Sequence, residues 1–540
     1  MKNRMLRTLQ TASVALAISG LVSVSSVPVA QADEPQSGGS LLTLVHPEPN
    51  TLAAYRSTAS SIGEITNKVY EGLLEYDFDL NPQPSLARSW EVSEDGLTIT
   101  FQLEEGVTFH DGSPFDSSDV KYTIEEVLRS VHPRGETNFA EVTSIDTPDD
   151  YTVVFNLANP APYILYALSS HETPMLNRET FEGTDPAEND TANAPNGTGP
   201  FMFTEWERGQ YIRLDRNPNY WREGLPYLDR IVARFIADPA TRSAAVENGE
   251  IDYAAFNAIP YSDADRIDAI DGITVTNLGY EMINPLMMME TNLQDEIMGN
   301  IAVRQAISYA IDRSWIIDNI FYGNGVAATG ALSSNFSATG LYTDDVRDYE
   351  VDNNIEIANQ LLDEAGFERG DDGFRFTIIH DVLPLGGDWN RMAEYLKQTL
   401  AEIGIDVELR NQDVGAFLQR IYTDYDFQLS ATFLFQYADP AIGVHRQYLS
   451  DQIRQGVLFV NSAQYSNPEI DAWMAQATNE NDPEIRQALY HDIQRQLAED
   501  LPVLPIFEMR FVTVYKDDVI NAVNNPMGSY SSFYNVWLDR

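Results

Sequence analysis

The 540-residue sequence contains no cysteine. That excludes disulfides, thiolate metal sites and a cysteine nucleophile. It also excludes a lipid-modified N-terminal cysteine, the usual tether of exported proteins in single-membrane cells, so a free protein confined between two membranes is expected. Lysine is scarce too, with five residues (Lys2, Lys68, Lys121, Lys397, Lys516) against 29 arginines. The 34 basic residues face 82 acidic ones, a formal net charge of −48. Nucleic acid requires a basic footprint and an anionic membrane surface repels such a chain, so neither is an expected partner. A carboxylate-rich, lysine-poor surface suits a salty exterior where charges are strongly screened, and points to a halophilic source.

Long apolar runs are missing except near the start. There Lys2, Arg4 and Arg7 precede an apolar stretch from Ala12 to Val24, then Ala30-Gln31-Ala32, with no acidic residue before Asp33. This is the order of a cleaved export signal. A membrane anchor needs about 20 strongly apolar residues, and serines and Pro28 interrupt the run. Cleavage after Ala32 removes three positive charges and takes the formal charge from −48 to −51.

Catalytic signatures are lacking as well. There is no GxSxG elbow and no GxxxxGK[ST] phosphate loop. Gly323-Asn324-Gly325 lacks the third glycine of a dinucleotide fingerprint, and His171-Glu172 lacks the second histidine of a zinc-protease helix. The seven histidines are scattered. No enzyme, cofactor or metal is expected.

What is present is enough apolar material, 43% hydrophobic and 11% aromatic, for large cores. The length implies two or three domains. Leu41 to His46 reads as a strand, and Ile62, Ile65, Val69 and Leu73 have helical spacing. Alternation predicts strands over Leu97–Leu103 and Tyr151–Leu157. Glu182 to Gly199 is a loop by composition. Met392, Leu396, Leu400 and Ile403 line one helical face that Gly404 stops, and Ile405, Val407 and Leu409 open a strand. Asp482-Pro483 caps a helix carrying Ile485, Leu489, Ile493 and Leu497. Helices alternate with strands throughout, which predicts an α/β or α+β protein.

Several phrases occur in order along the chain: Tyr70-Glu71-Gly72-Leu73, Leu86-Ala87-Arg88-Ser89-Trp90, Phe109-His110-Asp111-Gly112-Ser113-Pro114-Phe115, Gly197-Thr198-Gly199-Pro200-Phe201, Asn217-Pro218-Asn219-Tyr220-Trp221, Gly249-Glu250-Ile251-Asp252 and Val303-Arg304-Gln305-Ala306. Together they resemble the peptide/nickel/opine class of ABC-importer solute-binding proteins, the dipeptide- and oligopeptide-binding family 5. Read residue by residue, the phrases are mostly turns and core positions; they mark a scaffold rather than a cargo.

The resemblance implies an α/β fold: a two-lobed periplasmic-binding-protein clamp, type II-like, with an extra α+β domain attached to the first lobe. The expected domains are a cleaved signal peptide at 1–32, lobe I from 33–75, 197–291 and 505–540, the extra domain at 76–196, and lobe II at 292–504. It further implies a monomeric periplasmic receptor that captures a small polar ligand by hinge closure and delivers it to the permease subunits of an ABC importer.

In peptide binders of this class an Asp just before an Asp-Pro or Glu-Pro pair meets the ligand ammonium. Here Gln436 takes the Asp place, Phe433 the Trp place, and Asp439-Pro440 follows. A buried ammonium needs a carboxylate, so free-amine peptides are disfavoured. Arg391, before Met392-Ala393-Glu394, matches an arginine that grips carboxylates; a solvent-facing arginine on a helix is the alternative. Thr58-Ala59-Ser60 matches a ligand-contacting loop. Tyr437, His445 and Arg446 complete the candidate ligand site, with Phe433 and Tyr437 suited to a sugar or side-chain face. The cargo classes left open are a peptide, a modified peptide, an opine-like conjugate or an oligosaccharide. The competing readings are a metal or metallophore receptor on the same scaffold and, behind it, an exported hydrolase. Met287-Met288-Met289 reads as strand core rather than a soft-metal site.

Overall fold

The computed structural model describes residues 34–540; the expected export signal lies outside the described residues. Three large β-sheets and two two-stranded ribbons organise the described residues. The first has seven strands, in the order Ile273–Thr276, Thr513–Lys516, Tyr253–Ala254, Ser40–Leu44, Arg230–Arg234, Tyr211–Arg216 and Phe201–Glu207. Its central strand, Ser40–Leu44, runs parallel to both neighbours and buries Leu41 and Leu44 completely. Such two-sided burial explains why this stretch reads as a short apolar run.

The second sheet has six strands: Gly325–Ala327, Val503–Met509, Pro285–Thr291, Leu429–Phe435, Phe376–Asp381 and Ile405–Arg410. Its edge is a parallel β-α-β unit. Helix Gly387–Glu402 buries Met392, Leu396 and Leu400 against the sheet. Gly404, at φ +82°, then turns the chain straight into Ile405–Arg410 in the left-handed conformation that glycine tolerates. Helix Pro483–Asp500 starts where expected, with the Asp482 carboxylate accepting from the backbone N–H of Glu484. Met287 to Met289 lie within Pro285–Thr291, whose residues are all buried.

The third sheet is antiparallel, Ala87–Val92, Thr98–Leu103, Thr152–Leu157 and Val142–Asp149. Phe101, Phe139 and Phe155 pack on its inner face. The loop over 182–199 holds two short 3-10 turns, Pro186–Glu188 and Asp190–Ala192.

The structure corrects two expectations. The helix expected through Leu73 ends at Thr66, because the chain beyond it turns to bring Gly72 against the backbone of Leu168 and Ser169. The expected lobe boundaries at 291/292 and 504/505 also move. Strands Pro285–Thr291 and Val503–Met509 hydrogen-bond to each other in the second sheet, so neither can belong to the first lobe. The chain passes between the first two sheets at 277–284 and again at 510–512. Two adjacent crossings are what a hinge requires.

Candidate functional site: a cleft between two lobes

The shared phrases converge on one buried carboxylate. Glu71 accepts from Thr198 Oγ1 at 2.9 Å, Tyr220 OH at 2.7 Å and Trp221 Nε1 at 3.0 Å. The adjoining Arg222 pairs with Glu75 at 3.1 Å. A Cβ at Gly197 would run into the carbonyl oxygen of Val69, and one at Gly199 into that of Lys68. His110 Nε2 stands 2.9 Å from the Gly199 carbonyl. These contacts consume the polar groups of the phrases in building the scaffold.

A second convergence lies at the crossings, and it is aromatic. Phe256, which follows the strand Tyr253–Ala254, packs on Tyr280, Phe511 and Tyr530 with ring centres 4.9–5.6 Å away. Phe511, in the second crossing, meets Phe433 and Phe435 at 6.1 and 6.2 Å. Phe433 and Phe435 share one face of the strand Leu429–Phe435 by its two-residue period. Phe433 stacks on Trp389 at 5.9 Å, and Phe435 meets Tyr437 at 6.2 Å. Phe256, Asn257, Asn284 and Tyr437 all have φ between +49° and +57°. Asparagine tolerates this region, so the strain falls on Phe256 and Tyr437; eight further non-glycine residues elsewhere in the described chain share a positive φ.

Two guanidiniums border this surface. Arg134 lies 4.3 Å from the Tyr437 ring centre, clasps Glu172 through Nε (2.8 Å) and Nη2, and reaches Thr58 Oγ1 at 3.4 Å. Burial works against the charged form of Glu172, but the Arg134 guanidinium more than offsets it and holds the carboxyl down to about 2. Arg134 is therefore neutralised within the protein. Arg446 is not. It donates to two carbonyls, Gly443 O at 3.2 Å and Phe435 O at 3.3 Å, and among the described residues no carboxylate lies within 4.0 Å of it. Burial draws its pKa downward.

Of the residues singled out in the sequence, the structure gathers Phe433, Tyr437, Thr58 and Arg446 around this surface. Ala59 and Ser60 form the start of the helix Ser60–Thr66 next to Thr58. Arg391 lies on the helix Gly387–Glu402, two residues beyond Trp389, whose ring stacks on Phe433. Its half-exposed guanidinium pairs with Asp388 at 2.6 Å and approaches Tyr322 OH at 3.3 Å. Gln436 is corrected. It is fully buried, donates to Ala331 O at 2.6 Å and accepts from the Ser333 N–H at 2.9 Å. The same two-residue period that presents Phe433 and Phe435 turns Leu434 and Gln436 to the opposite face. Asp439 is likewise engaged, capping Ala441 N and pairing with buried Arg486 at 2.8 Å. His445 bonds Tyr490 OH at 3.0 Å inside the lobe, and burial pulls its pKa to about 3.

Arg134, Glu172, Phe256, Phe511 and Tyr530 escaped the sequence reading. Phe256 and Phe511 are far apart in sequence, so no spacing pattern joins them. His171-Glu172 carried a signal of another kind: the pair is a buried carboxylate beside a ring stacked on Tyr530 at 4.2 Å.

Among the described residues no group of three acidic or histidine side chains is placed to hold a metal ion, and no helix is long and apolar enough to cross a membrane.

Comparison with known proteins places this geometry. The model of bacterial extracellular solute-binding proteins, family 5 (middle region), matches residues 81–455. The oligopeptide-binding protein AppA of Bacillus subtilis is 29% identical over 506 residues, covering 90% of this chain and 89% of that protein. The structure of AppA with a nonapeptide superposes at a TM-score of 0.78 with 26% identity, covering 94% of this chain and all of that one. The glutathione-binding protein GsiB of Salmonella paratyphi A is 26% identical, covering 87% of this chain and 89% of its own length. AgaA from A. tumefaciens R10, solved with agropinic acid, gives a TM-score of 0.76 at 26% identity, covering 93% of this chain and 99% of that one. The chain therefore belongs to the bacterial extracellular solute-binding proteins of family 5, two-lobed clamps that receive small solutes outside the cytoplasm for ABC importers.

Proposed function

We propose that the protein is a monomeric periplasmic receptor, without enzymatic activity of its own, whose cargo is a small peptide-like or opine-like molecule bearing a carboxylate. The observation that carries this reading is Arg446. A half-buried cation at the edge of an aromatic cleft, bonded only to carbonyls, has no paired carboxylate within 4.0 Å among the described residues. The aromatic surface of Phe433, Phe435 and Tyr437 supplies contact area for an apolar or ring-bearing body. Of the similar proteins, AppA is solved with a nonapeptide, GsiB is named for glutathione and AgaA is solved with agropinic acid, so peptide-like and acidic cargo lie within the scaffold's range, as do the Ni(L-His) and Fe(III)-EDTA complexes of NikZ and NikA.

Cargo acts by population shift. A ligand touching Arg446 and Phe433 on one lobe and Phe256 on the other gains contacts only when the lobes are closed. The two crossings then absorb the change of angle. In this reading residues 76–196 form the extra domain, the −48 charge is an adaptation to a salty exterior, and the protein is free of the membrane.

A thermal-shift panel in high salt tests the proposal, with free and N-blocked peptides, the same peptides amidated at the C-terminus, opine-like conjugates, neutral oligosaccharides and Ni²⁺. A carboxylate ligand at about a hundred times its Kd should add about 2.7 kcal/mol of stability. Amidation should abolish the shift. Stabilisation by neutral oligosaccharides alone would sink the carboxylate reading, and a Ni²⁺ effect lost in chelator would favour the metal receptor.

A further inference from the structure

The hinge holds a cavity of its own. It measures about 590 Å³, within the range of small-molecule sites, and both crossings line it. Tyr280, Glu281 and Asn284 come from the first crossing, Arg510 from the second, Glu508 from the strand leading into it, and Asn335 from the lobe beside them. Phe433, Tyr437 and Arg446 do not line it, and Tyr280, which packs on Phe256 of the cleft, forms the wall between the two. The strand Val503–Met509 explains the separation: Phe507 packs on Phe321, while Glu508 projects to the opposite face by the two-residue period.

The charged groups are arranged in two parts. Glu508 accepts from the Ser334 N–H at 2.6 Å and its hydroxyl at 2.7 Å, so Ser334 fixes the carboxylate in place. Glu281 accepts from the Gly279 N–H at 3.0 Å, and Asn335 Nδ2 holds the Glu281 carbonyl at 2.8 Å. Neither carboxylate has a cation within 4.0 Å among the described residues, and neither does Arg510 have an anion. Burial raises the pKa of both carboxyls; at Glu508 the Ser334 hydrogen bonds and the Arg510 guanidinium offset part of it, while no cation does so at Glu281.

We infer that the hinge cavity is a second ligand site, distinct from the cleft, for a small zwitterionic ammonium solute. The ammonium is taken by Glu281 and Glu508 and the anionic end by Arg510. Because its walls belong to the segments that must rotate on closure, an occupant has different contacts in the open and closed forms. It therefore couples to cargo affinity, and cargo couples back by the same factor.

The test is calorimetric titration of the mature chain with glycine, acetate and methylammonium, followed by hydrogen-exchange mass spectrometry with the binding probe. Glycine should bind, acetate should not, and protection should appear over 277–285 and 508–511. Glu508→Gln and Glu281→Gln should each weaken glycine about tenfold or more, the loss of one ion pair worth about 1.4 kcal/mol. Arg446→Gln should leave glycine binding at the hinge intact, which separates this site from the cleft. Absence of heat with glycine would overturn the inference, as would protection confined to 430–446 or affinity unchanged in both glutamine variants. Either glutamine variant is scored only after its melting curve matches the parent's, and the two together guard against misfolding of one.

Discussion

The Arg134 guanidinium lies 4.3 Å from the centre of the Tyr437 ring while both its outer nitrogens are engaged, one by Glu172 and the other by Thr58. A cation from the segment between two strands of the third sheet thus rests on an aromatic residue that follows a strand of the second, with its charge already matched. Replacing Glu172 by Gln would strand that cation in a buried setting. The expected cost is about 3–5 kcal/mol, read as a lower urea midpoint. Replacing Arg134 and Glu172 together by apolar residues of similar size should cost far less. Equal losses in the single and double variants would refute this account of the pair.

Arg446→Gln separates cargo recognition from folding. Losing a charge-assisted contact worth about 1.5–3 kcal/mol should weaken a carboxylate ligand about 10- to 100-fold. The ligand-free protein should melt at the same temperature or higher, since a half-buried cation without a paired carboxylate has gone. Titration calorimetry on parent and variant decides it: unchanged affinity would mean the carboxylate is held elsewhere.

Gln436→Asp restores the residue type that peptide binders use for an ammonium, yet it should not create a free-amine receptor. The side chain faces Ala331 and Ser333, not the cleft. The aspartate would lose the donor to Ala331 O and bury a charge, costing at least about 2 kcal/mol. A gain of affinity for free-amine over N-blocked dipeptides would show that the side chain can reach cargo after all.

Acid stability should show a gentle slope and then a break. Burial lowers the pKa of His110, His171 and His380 to about 4 and that of His132 and His445 to about 3. Unfolded, each titrates near 6.5, so the stability they carry is present above that value and is lost as pH falls toward their folded values. Burial raises Glu64 to about 8, Glu75 and Glu290 to about 7 and Asp119 to about 6. Their contribution is present below their unfolded values near 4 and is lost as pH rises through 6–8. From about pH 6.5 to 4.5 the two sets largely oppose each other. Below that, the histidines act alone, joined by Glu172, each unopposed group costing about 1.4 kcal/mol per pH unit. Melting temperature against pH in high salt should therefore fall gently to about 4.5 and steeply beneath it. A steep fall starting at pH 6.5 would mean the carboxyls do not hold their protons.

The elements legible in the sequence were those with strong local periodicity. Helix Gly387–Glu402, its Gly404 stop and the strand after it could be read directly, as could the Asp482 cap. The helix through Leu73 misled because Val69 and Leu73 keep helical spacing while packing for another reason, the close approach at Gly72. Phe433 and Tyr437 are legible as candidates because a short phrase flanks them. Gln436, three residues from Phe433, faces Ala331 and Ser333 because strand alternation carries on past Phe435. Arg134 and Phe511 were invisible: a cleft assembled from segments hundreds of positions apart leaves no local pattern.

The convergence on Glu71 bears on how such chains are sorted. The phrases by which the family is recognised spend their hydrogen bonds on one another, through Thr198, Tyr220 and Trp221. Selection can hold them constant while leaving Phe433 to Arg446 free to diverge. Grouping relatives by whole-chain similarity therefore weighs the scaffold, whereas grouping them by the side chains at positions 134, 433, 437 and 446 weighs the candidate cleft.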